Sequence, residues 1–354
     1  MSPPVSIVIP TQRRLQGLAR AARSTFAQQG VDPAGLELVV VDNDAVASAA
    51  GVVEALAAEA PFAVRYVHEP AAGVANARNA GVAAARGELI AFLDDDEEAS
   101  GGWLAALLDV QARHGADVVF GPVRARADWL EVGHRAYFEH FFSRSGPSQS
   151  CDLDHYYGCG DSLVRRAALP DRERPFSAVR NQIGGEDDLL FGAMQRAGAR
   201  FAWAAQAWVW EDPAPERLTL RYTALRAFAY GQGASAHSAA AGDWPGVAGW
   251  MAAGVVQALA FAALALAGRL AGSPRFVFAL DRAARGLGKT LWQRPFKIRF
   301  YGLAGPSPAG PIHPVPLAPP SVRPAAPDAP RPEDGAPPAP AGPADRGRGA
   351  PARC

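Results

Sequence analysis

The fold class is decided by residues 88–98, whose sequence is Glu-Leu-Ile-Ala-Phe-Leu-Asp-Asp-Asp-Glu-Glu. The apolar run from Leu89 to Leu93 is typical of a buried strand, and five consecutive acids follow it directly. Carboxylates about 4 Å apart repel each other by ~1 kcal/mol in water, and by more beside an apolar wall. A divalent cation such as Mg²⁺ or Mn²⁺ would relieve that repulsion and hold phosphate oxygens. An acidic run alone favours a solvated turn, but open α/β sheets bind ligands at the carboxyl ends of strands.

The composition is that of a globular protein without a preference for nucleic acid. The chain has 354 residues, of which 49% are hydrophobic, and this is ample for a core. Lys and Arg total 35, as do Asp and Glu, so a nucleic-acid partner is not favoured. Three cysteines are too few for a disulfide framework, and the spacing of Cys151 and Cys159 does not favour a zinc site. This cysteine content fits a reducing, cytoplasmic setting, and no signal peptide is recognised at the N-terminus.

Strands and helices alternate through the first hundred residues. Strands are predicted at 5–10, 36–41, 64–67 and 89–93, with helices at 15–29, 45–60 and from 73 to about 87 between them. This alternation predicts a parallel sheet with right-handed crossovers and helices on both faces. Thr11, Asp42 and Asp94 each follow one of these strands. Because the carboxyl ends of parallel strands meet at one edge, we expect the three side chains to converge there.

A second acidic cluster, residues 186–188, follows two glycines and begins another predicted helix. Acids at a helix start complement the helix dipole, but three exceed that need, so one of them could act as a general base on an incoming hydroxyl. Neither GxGxxG nor GxxxxGK[ST] follows the first strand, so phosphates would be held by metal and arginine. Further strands are predicted at 117–123, 201–203 and 207–210. The arginines after them, Arg217, Arg221 and Arg226, suit either pyrophosphate or a solvated face.

These segments together resemble the bacterial inverting GT-A glycosyltransferases of family 2. The resemblance covers about the first 235 residues and rests on residues 5–11, 39–43, 73–81, 92–96 and 185–187, and residues 221–232 are similar to one subgroup. Each motif alone is weak, but their order and spacing are specific. The resemblance implies an α/β fold, a GT-A Rossmann-like and mostly parallel sheet with helices on both faces. It also implies a nucleotide-sugar donor, which we expect to be UDP-linked.

For the donor, the resemblance implies a role for five residues near the first three strands. Pro10, Thr11 and Arg14 would lie by the base or the ribose. Asp42 would accept a hydrogen bond from the ring N–H of the base. Arg78 would contact the base or the diphosphate.

For the chemical step, the resemblance implies a metal and a general base. Asp94 and Asp95 would hold ribose or metal, and Asp96 would ligate Mg²⁺ or Mn²⁺ bridging the diphosphate. The metal would stabilise the charge that grows on the departing diphosphate. Asp187 would deprotonate the acceptor hydroxyl for in-line attack with inversion. The acids on either side of Asp187 are less suited to this role.

Two residues depart from the family pattern. Family members often carry a His after the late strand, whereas Val209-Trp210 is followed here by Glu211. A carboxylate can also ligate a hard cation, so Glu211 is a candidate third ligand. Asp161 lies near a position where this subgroup often has Asn, which weakens any assignment of the acceptor. The QxxRW signature of processive members is absent, which favours single additions.

The segment 244–268 contains no charged residue over 25 positions, so it is long enough to span a bilayer. Basic residues follow from Arg269 to Arg299. A cytoplasmic donor and the positive-inside rule place both flanks in the cytoplasm, which one crossing cannot satisfy. We therefore expect helices lying on the inner leaflet, or a re-entrant hairpin. A helical cap on a soluble domain is the alternative.

The chain is thus predicted to have three regions: a catalytic domain at 1–235, membrane-associated helices at 236–303 and a disordered Pro/Ala-rich tail at 304–354. The expected function is metal-dependent transfer of a sugar to a hydroxyl of a cell-surface polysaccharide or lipid-linked acceptor, at the inner face of the cell membrane. Two other functions stay open. One is non-catalytic nucleotide binding on the same fold. The other is nucleotidyl transfer, for which a glycine-rich basic loop after the first strand is expected and absent.

Overall fold

The computed structural model describes residues 4–127, 133–181 and 184–298, and the predicted disordered tail at 304–354 lies outside the described residues. Within these ranges the strands are β1 (Val5–Thr11), β2 (Leu36–Asp42), β3 (Ala63–His68), β4 (Leu89–Phe92), β5 (Glu97–Ala99), β6 (Val118–Phe120), β7 (Val123–Ala125), β8 (Cys151–Leu153), β9 (Ser162–Arg165), β10 (Phe201–Trp203) and β11 (Val209–Glu211). The α-helices are α1 (Leu15–Phe26), α2 (Ala50–Glu59), α3 (Val74–Ala84), α4 (Trp103–His114), α5 (Arg135–Phe142), α6 (Glu186–Arg196), α7 (Leu220–Ala240), α8 (Trp244–Leu270) and α9 (Phe276–Thr290).

In the described ranges, eight strands form one sheet in the order β3-β2-β1-β4-β9-β6-β10-β8. Strands β1 to β4 pair in parallel, as predicted, and β6 pairs in parallel with β10. Strand β9 runs antiparallel between β4 and β6, and β8 runs antiparallel to β10. The α/β class and the mostly parallel sheet are therefore confirmed.

The single strand predicted at 117–123 was wrong. The chain forms β6 and β7 there, and they belong to different sheets, because β7 joins a small sheet of order β5-β11-β7. Gly121 and Pro122 separate the two strands. Proline cannot donate to a ladder of hydrogen bonds, and a Cβ at Gly121 would collide with the backbone oxygen of Ala207.

Two hydrophobic clusters cover the two faces of the large sheet. Ile7 and Ile9 on β1 belong to the cluster that includes α1, α2 and α4. Val8, between them, belongs to the cluster that includes α3 and α6. Alternate residues of one strand therefore pack on opposite faces. This explains why β1, β2 and β4 are mostly apolar, as expected of strands with helices on both sides.

Helices α7, α8 and α9 pack against one another through glycines. A Cβ on Gly231 would collide with the backbone oxygen of Arg285, and one on Gly288 with that of Phe228. Val277 at the start of α9 is buried against α5. Helix α7 continues through residue 235, and the domain division at 235 and 303 stays a prediction.

The outer face of α8 is apolar and exposed. Among the described residues α8 is the one helix whose length and composition would allow it to cross a membrane. Only 6% of its most apolar stretch of 18 residues is buried. Its exposed large side chains include Val256, Leu259, Leu264 and Leu266. An exposed apolar surface of this extent commonly marks a contact with another molecule or a membrane.

Candidate functional site

The ends of the central strands bring the predicted polar residues to one edge of the sheet. Thr11 and Asp42 lie side by side where β1 pairs with β2. Strand β4 ends at Phe92, and a tight turn follows in which the Glu97 backbone N–H donates to the Asp94 carbonyl over 3.0 Å. The turn places Asp95 where its Oδ2 accepts from the Thr11 hydroxyl over 2.8 Å. Thr11 and Asp42 therefore meet at this edge as expected, and the acidic turn meets Thr11 through Asp95, the residue after Asp94.

Arg14, just before α1, contacts two of the consecutive acids. Its Nη1 donates to Asp95 Oδ1 over 3.1 Å and to Asp96 Oδ2 over 2.6 Å. Arg217 approaches the same Asp96 oxygen, with 3.7 Å between the atoms. Burial raises the pKa of Asp95 to about 7, although the Arg14 charge opposes the shift. The acidic run is thus a structured group held by arginines and not a solvated turn.

Arg78 connects the acidic turn to the second acidic cluster. It lies on α3 and is only 6% exposed. Its Nη1 donates to Glu186 Oε1 over 2.5 Å, and its Nη2 donates to Asp94 Oδ1 over 3.3 Å. Its Nε is buried and has no hydrogen-bond partner among the described residues. A buried guanidinium between two carboxylates fixes the relative position of α3, α6 and the turn after β4.

The three acids at the start of α6 have different surroundings. Glu186 is buried against Arg78, and Asp188 is exposed. Asp187 is half-buried, and its Oδ2 accepts from the backbone N–H of Cys159 over 3.2 Å. A Cβ on Gly158 would lie 3.3 Å from that oxygen, so the backbone of the 158–159 loop passes directly over the carboxylate. Of the three, Asp187 combines partial exposure with a fixed position.

Asp161, on the same loop, is fully buried beneath the site. Its Oδ1 accepts from the Trp103 indole N–H over 2.7 Å, while its Oδ2 has no hydrogen-bond partner among the described residues. Its φ of 50° is in the left-handed region, where Asp and Asn are tolerated better than most residues. Burial raises the pKa of Asp161 to about 7, and the nearby Arg144 charge lowers it. Asp161 therefore supports the loop from below.

Asp42, one of the predicted donor residues, is placed deeper than a ligand contact requires. Asp42 is fully buried; its Oδ1 accepts from the Asp44 N–H, and its Oδ2 accepts from the Ala49 N–H and the Tyr66 hydroxyl. The ring N–H of a nucleotide base would have to share the Asp42 oxygens with these three donors. Pro10 is half-buried within β1. Their predicted roles at the base or ribose stay predictions.

Asp96 and Glu211, at or near β11, supply carboxylate oxygens, which are the ligands that a hard cation prefers. Burial and then the nearby Asp96 charge raise the pKa of Glu211 to about 8, with a smaller effect of the same sign from Asp94. Carboxylates that lie this close together repel one another and would be stabilised by a divalent cation. No ready cluster of three ligating side chains occurs within the ranges that the structure describes. Asp96 and Glu211 are oxygen donors of the kind that Mg²⁺ and Mn²⁺ prefer, and their predicted role as metal ligands stays a prediction.

Several residues that organise the site were not identified from the sequence. Arg144 donates to the carbonyl oxygens of Gly121, Gly158 and Asp161, and so it holds the loop over Asp187. Arg13 forms a two-point ion pair with Asp44. No local pattern marks these arginines, because their partners come from distant segments.

Proteins of one family resemble this chain. The profile described as glycosyl transferase family 2 matches residues 6–172. The succinoglycan biosynthesis protein ExoM of Rhizobium meliloti is 38% identical over 234 residues, which cover 64% of this chain and 73% of that protein. The pre-mycofactocin glycosyltransferase of Mycobacterium tuberculosis is 31% identical over 243 residues, or 65% of this chain and 47% of that protein. Among solved structures, S. aureus TarS 1-349 in complex with UDP has a TM-score of 0.48 and 18% identity, covering 63% of this chain and 64% of that one.

Proposed function

Because this chain belongs to glycosyl transferase family 2, we propose that it transfers a sugar from a nucleotide-sugar donor to an acceptor hydroxyl, with inversion and with a divalent cation. The donor would be UDP-linked, and the acceptor would be a cell-surface polysaccharide or a lipid-linked glycan. The observation that carries the proposal is the double contact of Arg78, which joins the acidic turn after β4 to the start of α6. The contact with Glu186 places the Arg78 guanidinium, which is suited to phosphate binding, beside the segment that carries the candidate base Asp187. The name of the Rhizobium relative, a succinoglycan biosynthesis protein, supports a polysaccharide product.

On the donor side, this chain's own residues bind and orient the nucleotide. Thr11 and Arg14 both hold Asp95, so the Asp95 carboxylate is fixed before a ribose arrives. Arg78 supplies a desolvated positive charge, which attracts phosphate more strongly than the same charge in water. Preorganised charges of this kind need no rearrangement when negative charge develops on the leaving group.

The cation would be held by Asp96 and Glu211, and when bound it would neutralise charge on the departing diphosphate. Arg14 and Arg217 already contact Asp96, so they compete with the cation for this carboxylate and are available to the diphosphate once the cation is present. The adjacent Glu97 is buried, and its pKa is raised by burial and then by the Asp94 charge. These surroundings favour binding of positive charge at this edge.

On the acceptor side, Asp187 is the proposed general base. It is half-buried, and the Cys159 N–H holds its Oδ2, while its Oδ1 accepts from the Asp188 N–H over 3.0 Å. A base must reach the proton of the attacking hydroxyl and not the donor phosphates. The loop of residues 158–161 forms one wall beside Asp187, so an acceptor would approach along it. Single additions, without processive elongation, are expected.

The proposed location is the inner face of the cell membrane, with the apolar face of α8 against lipid. Helix α8 exposes its large apolar side chains, Arg275 immediately precedes α9, and α9 itself carries the basic residues Arg282 and Lys289. An apolar face combined with nearby cations is typical of helices that lie in an anionic membrane surface.

Calorimetric titration with UDP, GDP and dTDP, with and without Mn²⁺, tests the proposal. We expect one nucleotide to bind with Mn²⁺ and to lose that binding in Asp96→Ala. Asp109→Ala removes an exposed acid from α4 and should bind the nucleotide normally. Failure of all three nucleotides with folded protein would contradict the donor site. Binding without sugar transfer across a panel of donors and acceptors would indicate a non-catalytic protein, and release of pyrophosphate would indicate nucleotidyl transfer.

A further inference from the structure

A cleft of about 590 Å³ lies between α5, α8 and α9, and none of the residues assigned to the donor or the base lines it. One part of its wall is aromatic, with Phe141, Phe261 and Phe278, and the other part is basic, with His140, Arg282 and Arg285. A cavity with a charged part and an apolar part suits a ligand that has both characters. The cations select an anionic head, and the aromatic rings select an apolar chain.

The positive charge of the cleft is only partly neutralised. Arg285 is paired with Asp281, with 2.8 Å between Nε and Oδ2, and its guanidinium lies over the Tyr230 ring. Arg282 has no ion pair among the described residues, and its side chain is exposed. The Arg282 backbone is nevertheless fixed, because its carbonyl accepts from Gln257 Nε2 over 2.8 Å. An unpaired arginine on a fixed backbone, in the same cleft as an imidazole, is suited to a phosphate group.

The apolar part of the cleft continues onto the exposed face of α8. Phe261 lines the cleft and is half-buried, while Leu264, one turn further along the same helix, is 57% exposed. Residues three apart on a helix are neighbours on its surface, so Phe261 in the cleft adjoins Leu264 on the outside of α8. An apolar chain could therefore leave the cleft along the apolar face of α8.

The cleft is also connected to the candidate base. Ser143 and Ser145 line it, and Arg144 between them donates to the carbonyl of Gly158 over 2.9 Å. The Gly158–Cys159 backbone in turn lies over Asp187. One arginine and one stretch of loop backbone thus separate the cleft from the site of proton removal.

We infer that this cleft binds the phosphate end of an isoprenoid or alkyl phosphate lipid, with the phosphate on Arg282 and His140 and the hydrocarbon chain on Phe261 and Phe278. A sugar attached to that phosphate would extend past Arg144 towards Asp187, so the cleft is the anchoring site of a lipid-linked acceptor. This acceptor role rests on the proposed function. The binding of the lipid phosphate does not rest on the proposed function, because the four residues that would hold the lipid belong to α5, α8 and α9.

Calorimetric titration of the full chain with farnesyl phosphate tests the inference, with farnesol and inorganic phosphate as the two partial probes. We expect farnesyl phosphate to bind at least about tenfold more tightly than either partial probe, because each lacks one of the two contacts. Arg282→Ala should weaken the binding of farnesyl phosphate by about tenfold, and Arg282→Lys should weaken it by less. Phe278→Ala should also weaken binding, because it removes a contact with the hydrocarbon chain of the ligand.

Arg275→Ala is the matched control, because Arg275 lies two turns before Arg282, is also exposed and does not line the cleft. It should leave the affinity within about twofold. An equal loss in Arg275→Ala would show general attraction to surface charge and overturn the inference. If inorganic phosphate bound as tightly as farnesyl phosphate, the cleft would be a site for the free ion. If farnesol bound as tightly as farnesyl phosphate, the contact with the anion would be excluded. If farnesyl phosphate did not bind, the cleft would be excluded as a lipid site.

The same variants separate this inference from the proposed function. Arg282→Ala should keep nucleotide binding, and Asp187→Asn should keep farnesyl phosphate binding while it loses transfer. Farnesyl phosphate binding without any sugar transfer would support the cleft and contradict the acceptor role. Transfer to a lipid-linked acceptor that is unaffected by Arg282→Ala would overturn the anchoring role.

Discussion

Arg78 and Glu186 form a buried ion pair, in which both side chains are less than a tenth exposed and 2.5 Å separates Nη1 from Oε1. The pair joins α3 to α6 across the edge of the sheet where the strands end. Arg78 also reaches Asp94, so one guanidinium serves both acidic clusters. The stability of the fold and the geometry of the proposed site therefore depend on the same side chain.

Replacing Arg78 should destabilise the fold strongly. Arg78→Ala leaves the buried Glu186 without a counter-charge, and loss of one partner of such a pair costs about 3–5 kcal/mol. Denaturation in guanidinium chloride at pH 7 measures the change in the free energy of unfolding. Arg113→Ala, which breaks an exposed pair with Asp109, is the control and should cost less than about 1 kcal/mol. Equal losses in the two variants would show that the Arg78 pair is not specially stabilising.

Asp187→Asn should abolish most sugar transfer while the nucleotide still binds. General base catalysis contributes about 10²–10⁴-fold, and the amide of asparagine cannot take up the proton. The asparagine side-chain oxygen can still accept from the Cys159 N–H, so the loop should keep its position. Initial rates and nucleotide titrations measure the two effects. Asp188→Asn, on the exposed side of the same turn, should stay within a few-fold of the unmodified protein, and a comparable loss there would argue against Asp187 as the base.

The pH dependence of stability should report the buried carboxyl of Asp161. Its pKa is raised from the ordinary value near 3.9 to about 7, chiefly by burial. The stability that protonation contributes is therefore complete below about pH 4 and is lost as the pH rises through 7. In Asp161→Asn this residue no longer titrates, so it no longer lowers the stability of the fold as the pH rises. Asparagine also tolerates the left-handed φ of this position.

We expect Asp161→Asn to be nearly neutral at pH 4 and to stabilise the fold at pH 8 by up to about 4 kcal/mol, the equivalent of roughly three pKa units. Chemical denaturation of both proteins at the two pH values measures the difference. A difference that is the same at pH 4 and pH 8 would mean that folding does not raise the pKa of Asp161.

The close packing of α7 on α9 can be tested at glycines. Gly231→Ala introduces a Cβ against the backbone oxygen of Arg285, where no flexible side chain can move away. Overpacking of this kind costs about 1–3 kcal/mol. Gly233→Ala is a matched control on the same helix, because nothing lies within 4 Å of its Cβ. It should instead stabilise the helix, by up to about 1 kcal/mol. Thermal unfolding monitored by circular dichroism distinguishes the two, and a stable Gly231→Ala variant would contradict the packing of these helices.

Much of the fold was predictable from the sequence because burial leaves a local pattern. The apolar runs of β1, β2 and β4 predicted strands covered on both faces, and the two hydrophobic clusters confirm this. The acids after β4 were correctly placed at the edge of the sheet. The split of residues 117–123 between two sheets was not predicted, because it depends on Gly121 packing against the distant Ala207.

By itself, the sequence determined the α/β class, the four parallel strands of the N-terminal half and the chemical character of the acidic run. These follow from periodicity and from the order of polar residues along the chain, which are local properties. Only the tertiary structure decided which charges meet: Arg217 with Asp96, Arg78 with Glu186, and Arg144 with the loop over Asp187. The energy of a charged group depends on its burial and its partners. Both are set by segments far apart in sequence, which local patterns do not encode.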